Sequence, residues 1–217
     1  MCGRFFLTHD VVFGGLTLSV TDGSKTGSAE SSWTAGDIRP MDHAIVVANN
    51  RNRQPSLFSM RWGYQTDKGQ LIINARAETA AEKALFIDGI NNRRCAIPFS
   101  GYYEWRQVGR ERLKYAISAE GEAQTFLAGI YRFEKQQPVF VVLTCEPSAS
   151  VKHIHNRMPV ILTKAAAEKW LQFSENASCI VNQACGRLSP QLIEGTEPIF
   201  DFLSEADMAG FRDRLEE

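Results

Sequence analysis

Hydrophobic positions fall in short blocks along most of the chain, separated by Gly, Pro, Asn and charged residues. HAIVVAN (43–49), LFSMRWGY (57–64), CAIPFSGYYEW (95–105), RLKYAISA (112–119), TFLAGIYRF (125–133) and PVFVVLTC (138–145) alternate or run apolar, and are rich in β-branched and aromatic side chains. Such blocks predict β-strands, and the short gaps between several of them favour antiparallel pairing. Helix signals are fewer. Thr79 and Glu82 stand in capping-box register at the head of TAAEKALF (79–86), TKAAAEKWLQF begins after Thr163, and SEADMAGFRDRLEE (204–217) starts on Ser204. Residues 20–37, VTDGSKTGSAESSWTAGD, lack an apolar period and read as an exposed loop. The pattern predicts one α+β domain over 1–217, with a mainly antiparallel, strongly curved, barrel-like sheet and peripheral helices.

A chain of 217 residues that is 44% hydrophobic can bury a sizeable single core. No apolar run approaches membrane-spanning length, and Arg4, His9 and Asp10 interrupt the N-terminal stretch, which reads poorly as a signal peptide. The five cysteines (Cys2, Cys95, Cys145, Cys179, Cys185) are odd in number and form no CxxC spacing. That argues against a disulfide scaffold and a structural zinc site, and points to a reducing cytoplasm. Cys95 and Cys145 lie in apolar blocks and read as small buried hydrophobes.

The net charge of −1 hides an asymmetry. From Glu194 onward, eight acidic residues stand against Arg212 and Arg214, an acidic tail or helix (194–217) of net −6, so residues 1–193 carry +5. Arginines interleave with aromatics in RNRQPSLFSMR, NNRRC and EWRQVGRERLK. This mixture suits single-stranded nucleic acid, where cations track phosphates and rings stack on bases; solvated strand ends explain it more simply.

Four stretches carry candidate chemistry. Met1 is expected to be removed when a residue as small as cysteine follows it, which leaves Cys2 with a free α-amine beside its thiol. Near pH 7 such an amine, of ordinary pKa about 7.7–8.0, has a neutral fraction roughly several hundred times that of a lysine. A 1,2-aminothiol condenses with an aldehyde to an imine and closes to a thiazolidine. The same pair can serve an N-terminal-nucleophile hydrolase, or Cys2 can be inert. In IINARAET, Asn74 can hold an amine or a sugar hydroxyl and Arg76 a phosphate, or the stretch is an ordinary polar turn. In PFSGYYEW, a strand places Tyr102 and Glu104 on one face and Tyr103 and Trp105 on the other. A carboxylate among aromatics suits acid–base work; one at a sheet edge in water does not. In HIHNRMPVIL, His155 can move a proton at a sugar oxygen while Arg157 holds the adjoining phosphate. His153 and His155 lack further ligands at a recognised metal spacing.

MCGR, RWG (61–63), NARAET (74–79), RCAIPFSGYYEW (94–105), FLAGIY (126–131), LTCEPS (143–148) and IHNRMPVIL (154–162) together, and in this order, resemble the SRAP family. Its members are named for SOS response-associated peptidases and understood as abasic-site processing proteins. The resemblance implies that Cys2, after loss of Met1, captures the ring-opened aldehyde of an abasic deoxyribose as a thiazolidine DNA–protein crosslink. The implied partner is single-stranded DNA, alone or at a single-strand/double-strand junction. Asn74 would position the amine and the sugar, Glu104 act as acid and base, and His155 assist ring opening. Arg4, Arg76 and Arg157 would hold flanking phosphates, while Trp62, Trp105, Pro40 and Thr144 form the groove that splays the strand. The family pattern further implies a positively charged cleft and a cytoplasmic monomer without metal, cofactor or membrane, with lyase or peptidase side activities. Tyr64 and Gln65 depart from the pattern after RWG, and residues 176–200 match it poorly. Two other readings stay open: a cysteine peptidase or amidase of the N-terminal-nucleophile kind, and a single-strand binding module in which Cys2 is incidental.

Overall fold

The computed structural model describes residues 2–21, 32–34, 36–121, 124–173, 177 and 187–196. The chain opens with β1 (Phe5–Leu7), β2 (Val11–Phe13), β3 (Leu16–Thr21), β4 (Ser32–Thr34) and β5 (Gly36–Ile38). There follow β6 (His43–Asn49), β7 (Pro55–Trp62), β8 (Tyr64–Gln65), β9 (Leu71–Ile72) and β10 (Asn74–Arg76). Two short helical segments, α1 (Ala77–Ala80) and α2 (Ile87–Asn92), lead into β11 (Arg94–Phe99), β12 (Gly101–Val108), β13 (Glu111–Ala119), β14 (Thr125–Glu134) and β15 (Gln137–Cys145). Last come β16 (Met158–Pro159), β17 (Ile161–Thr163), α3 (Lys164–Gln172) and β18 (Leu188–Thr196).

Every block read as a strand is β-structure, but CAIPFSGYYEW breaks at Ser100 into β11 and β12, which join different sheets, and LFSMRWGY breaks at Gly63 into β7 and β8. The curvature has a definite origin: β7, β6, β11, β14 and β15 pair antiparallel in that order, and β15 then pairs back onto β7 in parallel through Val139↔Arg61 and Phe140↔Trp62. This closes a five-stranded barrel with no free edge among those strands. Its interior is tight. A Cβ added to Gly129 of β14 would lie 2.5 Å from Ile97 Cδ1 and 3.0 Å from the Val141 carbonyl, so only glycine lets β14 approach. Gly63, at φ 113°, turns the chain from β7 into β8 through a conformation that side chains disfavour.

A second sheet, in the order β18–β13–β12–β1–β5, is antiparallel throughout. One hydrophobic cluster runs through both sheets. Phe5 of β1 joins them by packing on Trp62 of the barrel at 5.1 Å between ring centroids. Residues 2–4 therefore enter between the β12 side of the second sheet and the β10–β15 edge of the barrel. On that edge Asn74 pairs in register with Val142, and Arg76 with Thr144.

Three expectations are corrected. The stretch 20–37 is not loop at its ends: Thr21 closes β3, Ser32–Thr34 pairs with it in parallel, and Gly36–Ile38 pairs with β1. The backbone there follows partner strands, which override a composition rich in Gly and Ser. The helix expected over 79–86 is a single turn, Ala77–Ala80, without a side-chain cap. Residues 81–85 are all exposed, so there is no apolar stripe to anchor a longer helix. Glu194–Thr196, the expected start of the acidic tail, end β18 instead. The rest of that segment, with the helix expected at 204–217, lies outside the described residues, as do Cys179 and Cys185. The helix after Thr163 forms as expected, with the Thr163 hydroxyl accepting from the Ala166 N–H. No helix among the described residues is long and apolar enough to cross a membrane.

Candidate active site

Cys2 is fully buried, directly before β1. Asn74, held on β10 by the barrel edge, donates its Nδ2–H to the Cys2 carbonyl at 2.8 Å. A carbonyl can only accept, so this bond fixes the amide orientation and leaves Oδ1 as an acceptor facing the same enclosure. Asn74 Oδ1 is buried and has no hydrogen-bond partner among the described residues. A buried acceptor left unmade costs about 1–3 kcal/mol, and such an atom marks a place built for a donor that comes later. Burial pushes the Cys2 thiol well above its ordinary range, and the neighbouring Glu104 carboxylate adds to the effect. Both effects favour the protonated thiol beside the Glu104 carboxyl group.

Glu104 lies on β12, opposite Tyr115 of β13, and is 5% exposed. The strand alternation is as the sequence pattern requires. Tyr102 feels the charge of both Cys2 and Glu104, and Cys2 that of Glu104, whereas Tyr103 and Trp105 share the face on which Lys114 Nζ sits, 4.5 and 5.8 Å from their ring centroids. The Arg4 and Arg112 guanidinium groups lie 5.6 and 5.7 Å from the Trp105 ring, so this aromatic carries a collar of cations. Arg4 is itself buried, its guanidinium 3.8 Å from Asp37 on β5, and its carbonyl accepts from the Tyr103 N–H.

On the opposite wall, Arg157 is the organiser. Its two terminal nitrogens donate to both carboxylate oxygens of Glu78 at 2.7 and 2.8 Å, and Nη2 also donates to the Thr144 carbonyl at 2.6 Å. Its backbone N–H donates to His155 Nδ1 at 3.0 Å, which assigns the neutral imidazole proton to Nε2. His153 sets its ring edge-on to Tyr115, the strand neighbour of Glu104. The 151–157 segment therefore bridges the two walls. Arg76 is exposed at the end of β10. Among the described residues, no three His, Cys, Asp or Glu side chains converge as a metal site requires.

The family model described as SOS response associated peptidase (SRAP) matches residues 1–192. The chain belongs to the SRAP family. It is 30% identical over 186 residues, 79% of each chain, to the abasic site processing protein YoaM of Bacillus subtilis. To the abasic site processing protein YedK of Escherichia coli it is 28% identical over 135 residues, 59% of this chain and 60% of the other. A crystal structure of a phage-related protein from Bordetella bronchiseptica shares the fold, with a TM-score of 0.68 over 89% of this chain and 95% of that one at 18% identity. A Bacteroides thetaiotaomicron protein structure matches with a TM-score of 0.62 and 25% identity, over 73% of this chain and 78% of that one.

In this SRAP chain the expected groove residues divide by burial. Trp62 and Thr144 are fully buried, and Trp105 and Arg4 nearly so, at 8% and 3% exposed. The Trp62 indole N–H donates to the Ile73 carbonyl at 2.9 Å, and its ring stacks on Phe140, which leaves no face for a base. Thr144 serves from beneath by presenting its carbonyl to Arg157. Pro40 is half-buried in the turn that Asp42 closes by accepting from the Arg39 N–H. The sequence reading missed roles for Glu78, Asp37 and Tyr102. Glu78 stands inside NARAET, but its partner is 79 residues away, and no spacing signal connects them.

Proposed function

We propose that this SRAP protein processes abasic sites in single-stranded DNA, with Cys2 as the covalent nucleophile once Met1 is removed. The observation that carries the reading is the Asn74 clamp, which grips the Cys2 carbonyl and keeps an unsatisfied Oδ1 in reserve. While Met1 is attached, the Cys2 nitrogen is an amide. Its release gives an amine with N–H donors for that acceptor. Several relatives, YoaM and YedK among them, are named abasic site processing proteins, which supports the same substrate.

The chemistry balances without a cofactor. The neutral amine of Cys2 adds to the aldehyde of the open deoxyribose, and the carbinolamine loses water to form an imine. The thiol then adds across the C=N bond, its sulfur to carbon and its proton to nitrogen, closing a thiazolidine. Glu104 is the group placed to ferry these protons, since it is buried and adjacent to the thiol. His155, with Nδ1 occupied by the Arg157 N–H, offers its Nε2–H as a hydrogen-bond donor to the sugar ring oxygen as the ring opens. Arg4, Arg76 and Arg157 supply positive charge for the flanking phosphates.

The test is intact mass spectrometry after incubation with an abasic oligonucleotide. The expected product has lost Met1 and gained the mass of the oligonucleotide less one water, and Cys2→Ala gives none. An adduct of undiminished yield in Cys2→Ala would overturn the assignment.

A further inference from the structure

Two arginine-rich runs of the sequence, RNRQPSLFSMR and NNRRC, take no part in the site around Cys2, yet the fold brings them together. Arg51 and Arg53 of the β6–β7 turn, Asn92 at the end of α2 and Arg94 of β11 line one groove of about 870 Å³, with Tyr131 and Phe133 of β14 in its wall. None of the described residues lining it is acidic. Arg51 and Arg53 are exposed and make no ion pair among the described residues. The neighbouring hollow differs: there Glu134 binds both Arg61 and Arg132.

The groove is also built rather than incidental. Asn50 Oδ1 accepts from the Asn52 and Gln54 backbone N–H groups at 2.9 and 3.1 Å, and its Nδ2 donates to Ser56 Oγ, which fixes the turn that carries both arginines. Arg94 is clamped between Trp170 and Phe173, 4.5 and 4.8 Å from their ring centroids, and donates to the Ile90 carbonyl, so its charge is immobile. Phe133 stands 59% exposed, an open aromatic face beside this charge. Exposed arginines such as Arg51 and Arg53, with no counter-charge among the described residues, beside an open ring are the chemistry that receives a nucleic-acid strand.

We propose that this groove is a second strand-binding site, which takes the phosphates and bases of the DNA beyond the nucleotide captured at Cys2. The proposal rests on the DNA reading above. Pro138 in the groove and Thr144 beside the candidate active site are six residues apart on β15, about 20 Å at strand rise. For a strand stacked at the 3.4 Å per nucleotide of B-form DNA, that span is about six nucleotides, and an extended strand covers it with fewer.

The experiment compares wild type with the triple variant Arg51→Gln, Arg53→Asn, Phe133→Ser, after matched melting temperatures show that the variant is folded. Affinity is measured for undamaged single strands of about five and about twenty nucleotides, and crosslink yield for the abasic version of the short one. The variant should bind the long strand about tenfold more weakly, while affinity and crosslinking with the short one are unchanged. Equal affinity of variant and wild type for the long strand overturns the proposal, and so does an equal loss on both lengths. A deoxynucleoside monophosphate that binds wild type but not the variant, with long-strand affinity intact, would assign the groove to a free nucleotide and also overturn it. If wild type fails to crosslink the short abasic strand, the Cys2 reading falls, while the length comparison still decides the groove.

Discussion

Arg157 and Glu78, 79 positions apart in sequence, are joined by two parallel hydrogen bonds of 2.7 and 2.8 Å. A guanidinium meets a phosphate with the same fork, so on the proposed function the carboxylate holds the place a DNA phosphate would take. The Glu78 side chain is 44% exposed, and a pair of this kind is worth only about 0–1 kcal/mol. A phosphate can therefore displace it. Glu78→Gln removes the competing charge and should tighten noncovalent binding of undamaged single-stranded DNA by about two- to fivefold at low salt. Fluorescence anisotropy reads this directly, and an unchanged affinity would place Arg157 outside the DNA path.

The same substitution has the opposite sign for stability. The hydrogen bond from Arg157 holds the Glu78 carboxyl below the ordinary carboxylate range. A folded-state value below the unfolded one, about 4.3, means stabilisation that is present above that pH and fades as pH falls through the folded value. Glu78→Gln should thus melt about 1–3 °C below wild type near pH 7, and the gap should close in acid below about pH 4. A gap of the same size at pH 3 would show that packing, not the ion pair, had been lost.

Asn74 makes two separable contributions: a donor to the Cys2 carbonyl and a reserved acceptor. Asn74→Ala deletes both and should slow crosslinking about 10- to 100-fold, with noncovalent DNA binding retained. Asn74→Asp keeps an acceptor but adds a negative charge beside the Cys2 amine. That charge favours the ammonium form, so the pH at which crosslinking reaches half its maximal rate should move upward. Pre-steady-state gel kinetics across about pH 6 to 9, a range that brackets the ordinary α-amine pKa, separates the two variants. Identical pH profiles for wild type and Asn74→Asp would remove the amine from Asn74's neighbourhood.

What could be read from the sequence, and what could not, follows from the range of the forces involved. Strand blocks such as HAIVVAN and TFLAGIYRF declare themselves because their periodicity is local, and the alternation of Tyr102, Tyr103, Glu104 and Trp105 follows from the pleat alone. Barrel closure through Phe140↔Trp62 could not be read, since a parallel pair between strands almost eighty residues apart leaves no mark on either segment. The 79–86 helix misled for a related reason. Thr79 lies inside the turn rather than capping it, and a helix is stabilised by the face it buries, whereas residues 81–85 are all exposed. In the candidate site, Cys2, Asn74 and Glu104 were legible as chemistry, whereas the pairing of Arg157 with Glu78 rather than with a phosphate is a property of the folded molecule.

Trp62 offers the sharpest test of where the DNA surface ends. A tryptophan beside Arg61 in an RWG stretch invites a stacking role, but the ring is enclosed by Phe5 and Phe140 and its N–H is spent on the Ile73 carbonyl. Trp62→Phe keeps most of the apolar volume and removes one of the two hydrogen bonds on that carbonyl, which still accepts from the Val142 N–H. It should cost about 0.5–1.5 kcal/mol of stability, and Trp62→Ala about 3–5 kcal/mol through the cavity it opens. In both variants, DNA affinity measured well below the melting temperature should match wild type. For Trp105, whose ring carries Arg4, Arg112 and Lys114 around it, the order should reverse: Trp105→Phe should weaken DNA binding with little change in melting temperature. Loss of DNA binding in Trp62→Phe with unchanged stability would mean that the indole turns outward to meet the strand, and that the wall formed by Phe5 and Phe140 opens on binding.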